Sequence, residues 1–290
     1  MVLIPPLEAS VTDVAAIDAI VCPATPPIVA LIVSPTTTPG GATTKIVENP
    51  TGESEVTVPF AVPTPMTEKG EFDISILNST ITKLPAGKIV IIKSTIIPSS
   101  AEGLIESFPQ QNLIFNPEFL TERTAVEDFQ KPSRIVIGGD SKASVGKVKD
   151  IYRKVFPSRL IEILETDAKT ACFIKYFSNC FFAAKVSLMN EFKQIAEKHN
   201  ISWETAVDGL LLSGWVNPMH TQVPGPDGQL GFGGKCFPKD ISAFIKYSET
   251  LGVDPKVLKA AWEKNLEVRK DLDWHRIKGA VSKKNLTSNE

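Results

Sequence analysis

A cysteine, two lysines and a carboxylate stand close together in the run GFGGKCFPKD, which occupies residues 231–240. A proline two residues after Cys236 suits the first turn of a helix, because its missing N–H needs no partner there. The helix dipole and the neighbouring Lys235 and Lys239 favour the thiolate of Cys236, and the thiolate is the nucleophilic form of cysteine. Asp240 follows four residues later and is available for proton transfer or for holding a water. The pattern indicates an active-site loop, while a buried cysteine beside an ordinary glycine turn remains the alternative reading.

Two further pairs of polar residues are spaced four apart. Lys175 and Asn179 share one face of a predicted apolar helix, where a buried lysine is costly unless it has a task or a partner. A snorkelling lysine beside a packing asparagine is the alternative. Glu118 and Glu122 would face one pocket if their segment forms a helical turn, and solvated surface glutamates are the alternative there. The set that suggests covalent aldehyde or acyl chemistry comprises Thr95, Glu118, Glu122, Lys175, Asn179, Cys236 and Asp240.

Length and composition predict a soluble globular protein. The chain has 290 residues, of which 42% are hydrophobic, so it can build one large domain or two. A net charge of −2 argues against nucleic acid or an anionic membrane as the main partner. The four cysteines are widely and irregularly spaced, which fits neither a disulfide framework nor a metal site. We therefore expect a reducing, cytoplasmic location, with no membrane span and no signal peptide.

Apolar strands alternate with helices between residues 56 and 164, which predicts a parallel sheet covered on both faces. Ligands of such sheets bind beyond the carboxyl ends of the strands, where this sequence places Thr64, Thr95 and Glu118. The predicted strands are 56–62, 88–93, 113–115, 134–137 and 160–164, and the predicted helices are 74–84, 101–108 and 144–155.

A long predicted helix, residues 168–198, is apolar almost all round, so we expect it to be buried in a core or against a second subunit. Further helices are predicted at 203–212, after Cys236, and at 255–270. The sequence thus predicts an α/β protein with a parallel sheet domain, residues 1–166, followed by an all-α domain, residues 167–290.

The first 55 residues differ from the rest of the chain. Eleven of the 22 prolines lie in residues 1–65, and no lysine or arginine precedes Lys45. A strand at 28–33 and a helix at 11–20 are the only regular elements that the pattern allows. An altered or shifted reading frame is one explanation for this change in composition.

Five ordered blocks of sequence resemble the UDP-glucose 6-dehydrogenase/GDP-mannose 6-dehydrogenase family of nucleotide-sugar dehydrogenases. The resemblance extends over residues 56–270, and five blocks in the family's order form a specific signal. The blocks are VPTP at 62–65, KST at 93–95, NPEFLTE at 116–122, the KxxxN pattern at 175–179 and FGGKCFPKD at 232–240.

The resemblance implies an NAD-dependent four-electron oxidation of a sugar C6 alcohol to a carboxylate, on a UDP- or GDP-linked sugar. Cys236 would form a thiohemiacetal and then a thioester. The implied catalytic residues are Cys236, Lys175, Asp240, Glu118, Thr95 and Asn179. Those implied near NAD are Val62, Pro63, Thr64, Pro65, Met66, Ser94, Glu122 and Lys239. The sugar would contact Phe119, Leu120, Lys175, Asn179, Phe232 and Gly233. The resemblance also implies that the sheet domain is an incomplete Rossmann-like parallel sheet domain and that the all-α domain is a central dimerisation domain, which forms a homodimer through the central helices. A role in polysaccharide precursor synthesis is implied as well.

The chain departs from the family pattern in three respects. It contains no Gly-x-Gly-x-x-Gly after a strand and no acidic residue placed to bind a ribose. The family's arginine before the glycine-rich block is missing, and the region holds His220, either as a phosphate contact or as a structural residue. The second nucleotide-binding domain is also missing, so the sequence reads as a shortened member. A non-catalytic dimerising homologue with impaired NAD binding is therefore the alternative to an enzyme.

Overall fold

The computed structural model of the chain describes residues 28–32, 47–48, 54–55, 58–59, 73–121, 124–156, 161–277 and 280. These residues form two compact units. The first contains the described residues up to 59, together with 80–94 and 105–171. The second contains residues 73–79, 95–104 and the described residues from 172 onward. The predicted domain boundary between residues 166 and 167 stays a prediction.

A six-stranded sheet forms the first unit, in the order β4-β1-β5-β6-β7-β8. All of its strand pairs are parallel except β6 with β7, which meet in an antiparallel sense at Phe115 and Gly138. The fold class, a Rossmann-like sheet unit followed by a helical unit, is confirmed, and the antiparallel pair is a detail that the sequence did not predict. The strands of the sheet are β1 (Ile28–Ile32), β4 (Val58–Pro59), β5 (Ile89–Ile92), β6 (Asn112–Phe115), β7 (Arg134–Gly138) and β8 (Glu162–Thr166).

In the described part of the chain, four helices and a separate pair of short strands accompany these strands. Helices α1 (Ser75–Thr82) and α2 (Pro98–Ser107) lie on either side of β5 in the chain, α3 (Ala125–Gln130) precedes β7, and α4 (Lys142–Val155) follows it. Strands β2 (Val47–Glu48) and β3 (Ser54–Glu55) form a separate antiparallel pair. Ser141 caps α4, since its side chain accepts the Ser144 N–H at 3.2 Å.

The core of the first unit lies between the sheet and α4. Strands β5 and β6 carry almost only buried apolar residues, as expected for the centre of a parallel sheet. Val145 and Val148 of α4 pack against Ile135 and Ile137 of β7. At Gly138 a Cβ would overlap the carbonyl oxygen of Asp167, so only glycine allows the chain after β8 to pass this close to β7.

Helices α5 (Ala168–Lys198), α6 (Trp203–Leu211), α7 (Phe237–Thr250) and α8 (Lys256–Val268) build most of the second unit, apart from the first turn of α5. Residues 75–79 of α1 and 98–104 of α2 also belong to this unit. The predicted bounds of α5 are confirmed. Its cap is Asp167, whose carboxylate accepts the Thr170 N–H at 2.8 Å and the Thr170 hydroxyl at 2.7 Å. These two bonds lower the pKa of Asp167, because they stabilise its ionised form.

Two of the apolar clusters of the second unit pack against α5. In one, Cys180 and Ala183 of α5 pack against Ile241 of α7 and Ala261 of α8. In the other, the C-terminal half of α5 packs on Trp203 and Val223. Within the described part of the chain no helix has both the length and the apolar content to cross a membrane.

Several expectations need correction or fall outside the described residues. Residues 116–121 form no helical turn, so the condition under which Glu118 and Glu122 would face one pocket is not met there. Glu122 itself lies outside the described residues. The last strand of the sheet begins at Glu162 rather than at residue 160. The predicted helix at 11–20 and the predicted turn at 62–66 also lie outside the described residues.

Candidate active site

Cys236 occupies the N-cap position of α7, as the sequence predicts. Its side chain is half-buried and makes no capping hydrogen bond, while its carbonyl oxygen accepts the Asp240 N–H at 2.9 Å. Pro238 lies in the first turn, where a missing N–H is harmless. The thiol therefore lies at the positive end of a 14-residue helix, which is the position that stabilises a thiolate.

Asp240 joins α7 to α5 through buried polar contacts. Its side chain is only 1% exposed, and its carboxylate accepts hydrogen bonds from the side chains of Asn179 and Lys239. Lys175 is also buried and lies one turn before Asn179 on α5. The structure thus brings together three of the predicted catalytic residues of this unit, Cys236, Asp240 and Asn179, with Lys175 on the adjoining turn.

The thiol of Cys180 has a different environment from that of Cys236. It is buried, and it lies 4.0 Å from the Asp240 carbonyl oxygen. Burial raises the pKa of the Cys180 thiol, and the Asp240 charge raises it further. Cys180 therefore stays protonated and packs as an apolar residue.

Two asparagines fix the backbone of the glycine-rich loop before Cys236. Asn265 of α8 is fully buried, and its Oδ1 accepts the Phe232 N–H at 2.6 Å while its Nδ2 donates to the Phe232 carbonyl at 3.0 Å. Asn190 of α5 accepts the Gly231 N–H at 3.0 Å. The loop thus obtains its backbone partners from two helices, as a buried backbone requires.

Arg269 and Asp273 hold the next two residues of the loop. The buried guanidinium of Arg269 pairs with Asp227 at 3.0 Å and with Asp273 at 3.3 Å. Asp273 accepts the Gly234 N–H at 3.1 Å. A Cβ at Gly233 would overlap the Arg269 guanidinium, which explains the glycine. The approach to Cys236 is therefore a rigid turn rather than a free loop.

Replacing Asn265 with alanine should lower the free energy of unfolding by about 2–4 kcal/mol, because both polar groups of the Phe232 backbone lose buried partners and a cavity remains. Denaturant unfolding measures this effect. Glu263→Ala, at an exposed position of the same helix, is the control and should change stability by no more than about 0.5 kcal/mol. Equal effects from the two variants would contradict this role of Asn265.

The first unit places another predicted catalytic residue, Glu118, beside a lysine. Glu118 lies just after β6, and its Oε1 is 3.4 Å from the Lys93 Nζ. The Arg134 guanidinium lies 4.0 Å from the ring centre of the neighbouring Phe119. Burial lowers the pKa of Arg134, but this residue remains a cation.

The remaining predicted site residues are distributed over both units. Ser94 is buried in the first unit, Leu120 is half-buried there, and Thr95 is half-buried in the second unit. Phe232 lies in the apolar cluster of the second unit, with its ring centre 6.0 Å from those of Trp262 and Phe237. Val62, Pro63, Thr64, Pro65, Met66 and Glu122 lie outside the described residues.

His220 has a left-handed backbone conformation with φ 64°. Its ring centre lies 4.8 Å from that of Phe182 and 5.2 Å from that of Phe237. These ring contacts favour the structural reading of His220 over a phosphate contact. Among the described residues, no group of histidine, cysteine and acidic side chains has the arrangement of a metal site.

Sequence reasoning missed Lys93, Tyr152, Asn190, Asn265 and Arg269 as neighbours of the predicted site residues. Lys93 carried a usable signal, since it follows an unbroken apolar strand at the carboxyl edge of the sheet. The two asparagines carried none, because their backbone partners lie more than 30 residues away in the chain. Arg269 carried none, because the Asp227 carboxylate with which it pairs is also more than 30 residues away.

The sheet of the first unit contains a topological switch point at β1. Strand β1 lies between β4 and β5, and both of these come later in the chain, so the winding of the sheet reverses at β1. Dinucleotides bind at such a switch point, outside the carboxyl ends of the strands. Lys93 and Ser94 follow β5 directly at this edge, and both side chains are buried. The architecture fits NAD, while the residues that follow β1 lie outside the described part.

The fold and the site define an α/β protein of the dinucleotide-dependent dehydrogenase class. Residues 9–156 match the NAD binding domain of the UDP-glucose/GDP-mannose dehydrogenase family, and residues 169–267 match the central domain of that family. The chain therefore belongs to the UDP-glucose/GDP-mannose dehydrogenase family. This membership confirms the resemblance seen in the sequence. It also confirms NAD as the cofactor of the family to which the chain belongs.

Individual relatives agree with this assignment. A UDP-glucose 6-dehydrogenase of Rickettsia bellii is 36% identical over 219 residues, which are 72% of this chain and 48% of that protein. UDP-glucose 6-dehydrogenase TuaD of Bacillus subtilis is 28% identical, over 72% of this chain and 46% of that protein. The structure of a UDP-glucose dehydrogenase from Pyrobaculum islandicum has a TM-score of 0.63 and 30% identity, covering 72% of this chain and 49% of that one. The chain spans about half the length of the curated relatives that it matches.

Proposed function

We propose that the protein is a nucleotide-sugar 6-dehydrogenase that oxidises a sugar C6 alcohol to a carboxylate through a covalent intermediate on Cys236. One observation carries this proposal: Cys236 lies at the N-terminus of α7, and one turn later the buried Asp240 binds Asn179 and Lys239. A thiol at a helix N-terminus, beside a fixed carboxylate and amide, has the parts that aldehyde oxidation through a thioester needs.

The roles proposed for the individual residues follow from the resemblance to the family. When bound, NAD supplies the hydride acceptor for two oxidations, from alcohol to aldehyde and from thiohemiacetal to thioester. The Cys236 sulfur adds to the aldehyde carbon between these oxidations, and its thiolate leaves when water cleaves the thioester. The side chains of Lys175 and Asn179 stabilise the oxyanion of the adduct, because a cation and an amide donor favour developing negative charge. Thr95 and Asp240 hold the water, and Glu118 accepts its proton.

The assignments for the cofactor and the sugar rest on the family blocks. NAD would be held by residues 62–66, Ser94, Glu122 and Lys239. A UDP- or GDP-linked sugar would contact the segment 119–120, the segment 232–233, and the pair formed by Lys175 and Asn179. Because the Phe232 side chain packs inside the apolar cluster, its contribution to the sugar site would come from the loop backbone. A cytoplasmic location is part of this proposal, supported by the free thiols of the described Cys172, Cys180 and Cys236.

The test is NADH formation by the full chain with a panel of UDP- and GDP-linked sugars, together with a direct measurement of NAD binding. The proposal expects NADH with at least one of them and two NADH per carboxylate formed. The relatives named above make UDP-glucose the first member of the panel. NAD binding without turnover on any sugar, or no NAD binding at all, would instead support the non-catalytic homologue.

We also propose a homodimer through α5, which the distribution of exposed apolar residues supports. One face of this helix packs inside the second unit, whereas the opposite face carries large apolar residues that are roughly half exposed. They recur at helical spacing and form one stripe, which a second copy would cover. The stripe consists of Phe173, Phe177, Phe181, Leu188, Phe192 and Ile195.

Replacing Phe177 and Phe181 together with aspartate should convert the dimer to a monomer, because charge would be buried at the centre of the stripe. Sedimentation equilibrium over a range of protein concentrations measures the change. Glu197→Lys, at an exposed position on another face of α5, is the control and should leave the dimer intact. A wild-type chain that is monomeric at all concentrations would contradict the dimer.

A further inference from the structure

Lys93 lies at the edge of the sheet where parallel-sheet ligands bind. It follows β5 directly, and the register that pairs Ile92 with Phe115 sets it opposite Asn116 at the end of β6. Lys93 is only 8% exposed, and Asn116 is 1% exposed. A lysine at this depth needs partners that compensate for its lost hydration.

Four acceptor atoms surround the Lys93 ammonium. Its Nζ lies 3.1 Å from Asn116 Oδ1 and 3.4 Å from each of the Asn116 carbonyl oxygen, the Tyr152 hydroxyl and Glu118 Oε1. The Asn116 side chain is fixed in turn, because its Nδ2 donates to the Val136 carbonyl at 2.7 Å and its Oδ1 accepts the Tyr152 hydroxyl. The cluster therefore ties together β5, β6, β7 and α4.

The charge balance of this cluster favours the ammonium form of Lys93. The pKa of Lys93 is raised: burial opposes this, but the neighbouring Tyr152 and Glu118 more than compensate. Glu118 is 11% exposed on its side chain, so water screens this pair far less than it screens the exposed Lys149–Glu165 pair of the same unit. The Glu118 carboxylate is thus held by a fixed cation and not by solvent.

We propose that Lys93, supported by Tyr152 and Asn116, is a positioning residue that sets the orientation of the Glu118 carboxylate for thioester hydrolysis. This inference rests on the proposed function. Lys93 contacts Oε1, and we assign the attacking water to Oε2. In that step the water oxygen bonds to the acyl carbon, one water proton passes to Glu118, and the bond from carbon to the Cys236 sulfur breaks with the thiolate as leaving group. Lys93 itself touches no reacting atom.

The test separates hydrolysis from the two oxidations. In the full chain, Lys93→Met should retain the rapid burst of NADH that precedes hydrolysis and should lower kcat by about 10- to 100-fold, because a misplaced base slows only the last step. The KM for the nucleotide sugar should stay within about threefold of wild type, and the thioester on Cys236 should accumulate. Lys149→Met, which removes an exposed ion pair, is the matched control and should behave as wild type.

Each outcome bears on the inference. An unchanged kcat, or an equal loss of the burst and of kcat, would overturn it. If Lys93→Met does not fold, Tyr152→Phe decides, since it removes only the hydroxyl that contacts Lys93 and Asn116 and should slow hydrolysis by about 3- to 10-fold with the burst intact. A normal hydrolysis rate in that variant would overturn the inference. A wild-type chain that binds NAD but makes no NADH with any nucleotide sugar would overturn the proposed function, and this inference with it.

Discussion

Cys236→Ala is expected to lower the rate of carboxylate formation by about 10³-fold or more, because the variant lacks the sulfur that carries the aldehyde through the second oxidation. NAD binding should remain, and the free energy of unfolding should change little, since the half-buried Cys236 side chain makes no capping hydrogen bond. NADH formation and product analysis measure the first effect, and denaturant unfolding measures the second.

Cys172→Ala is the control for this substitution, because it removes a buried thiol on α5 that has no assigned part in the reaction. It should retain turnover, with a modest loss of stability from the smaller side chain. Turnover by Cys236→Ala close to that of wild type would exclude a covalent role for the cysteine.

Asp240→Leu is expected to lower the free energy of unfolding by about 3–5 kcal/mol. The substitution removes the carboxylate that both Asn179 and Lys239 contact, and leaves the buried Lys239 ammonium without this counter-charge. Turnover should also be lost, since Asp240 holds the water in the proposed reaction. Chemical denaturation of the purified variant measures the change in stability.

A double substitution separates the ion pair from simple packing. Lys239→Met in the Asp240→Leu background should recover part of the lost stability, because no charge then remains buried at this position. If the two substitutions destabilise the protein additively, Lys239 and Asp240 have no coupling energy. That result would contradict the stabilising role of the Asp240 carboxylate. An intact Cys236 in both variants keeps this measurement independent of the first prediction.

Much of the fold was predictable because local patterns and packing agree. The unbroken apolar strands β5 and β6 lie at the centre of the sheet, and α5 has the predicted bounds, since its apolar residues recur along one long helix. The position of Cys236 followed from one proline, because the first turn is the part of a helix that tolerates proline. These are local rules, and a sequence displays them directly.

The contacts that fix the site were not predictable, because they depend on residues far apart in the chain. Asp240 meets Asn179 across two helices, Asn265 binds the backbone of Phe232, and Lys93 reaches Glu118 across two strands. The helical turn on which a pairing of Glu118 with Glu122 depended was a local prediction, and residues 116–121 instead leave the sheet in an irregular conformation. The sequence also did not show that one face of α5 is exposed, because apolar content alone does not distinguish a core from an interface.

The most direct test of the account is to quench the wild-type chain during turnover with NAD and UDP-glucose, or with the sugar that the panel identifies, and to determine the mass of the peptide that contains Cys236. The account predicts a covalent adduct on Cys236 with the mass of the nucleotide-sugar acyl group, which disappears as the carboxylate is released. Carboxylate formation at the full rate with no adduct on Cys236 at any time, or with the adduct on another residue, would contradict it.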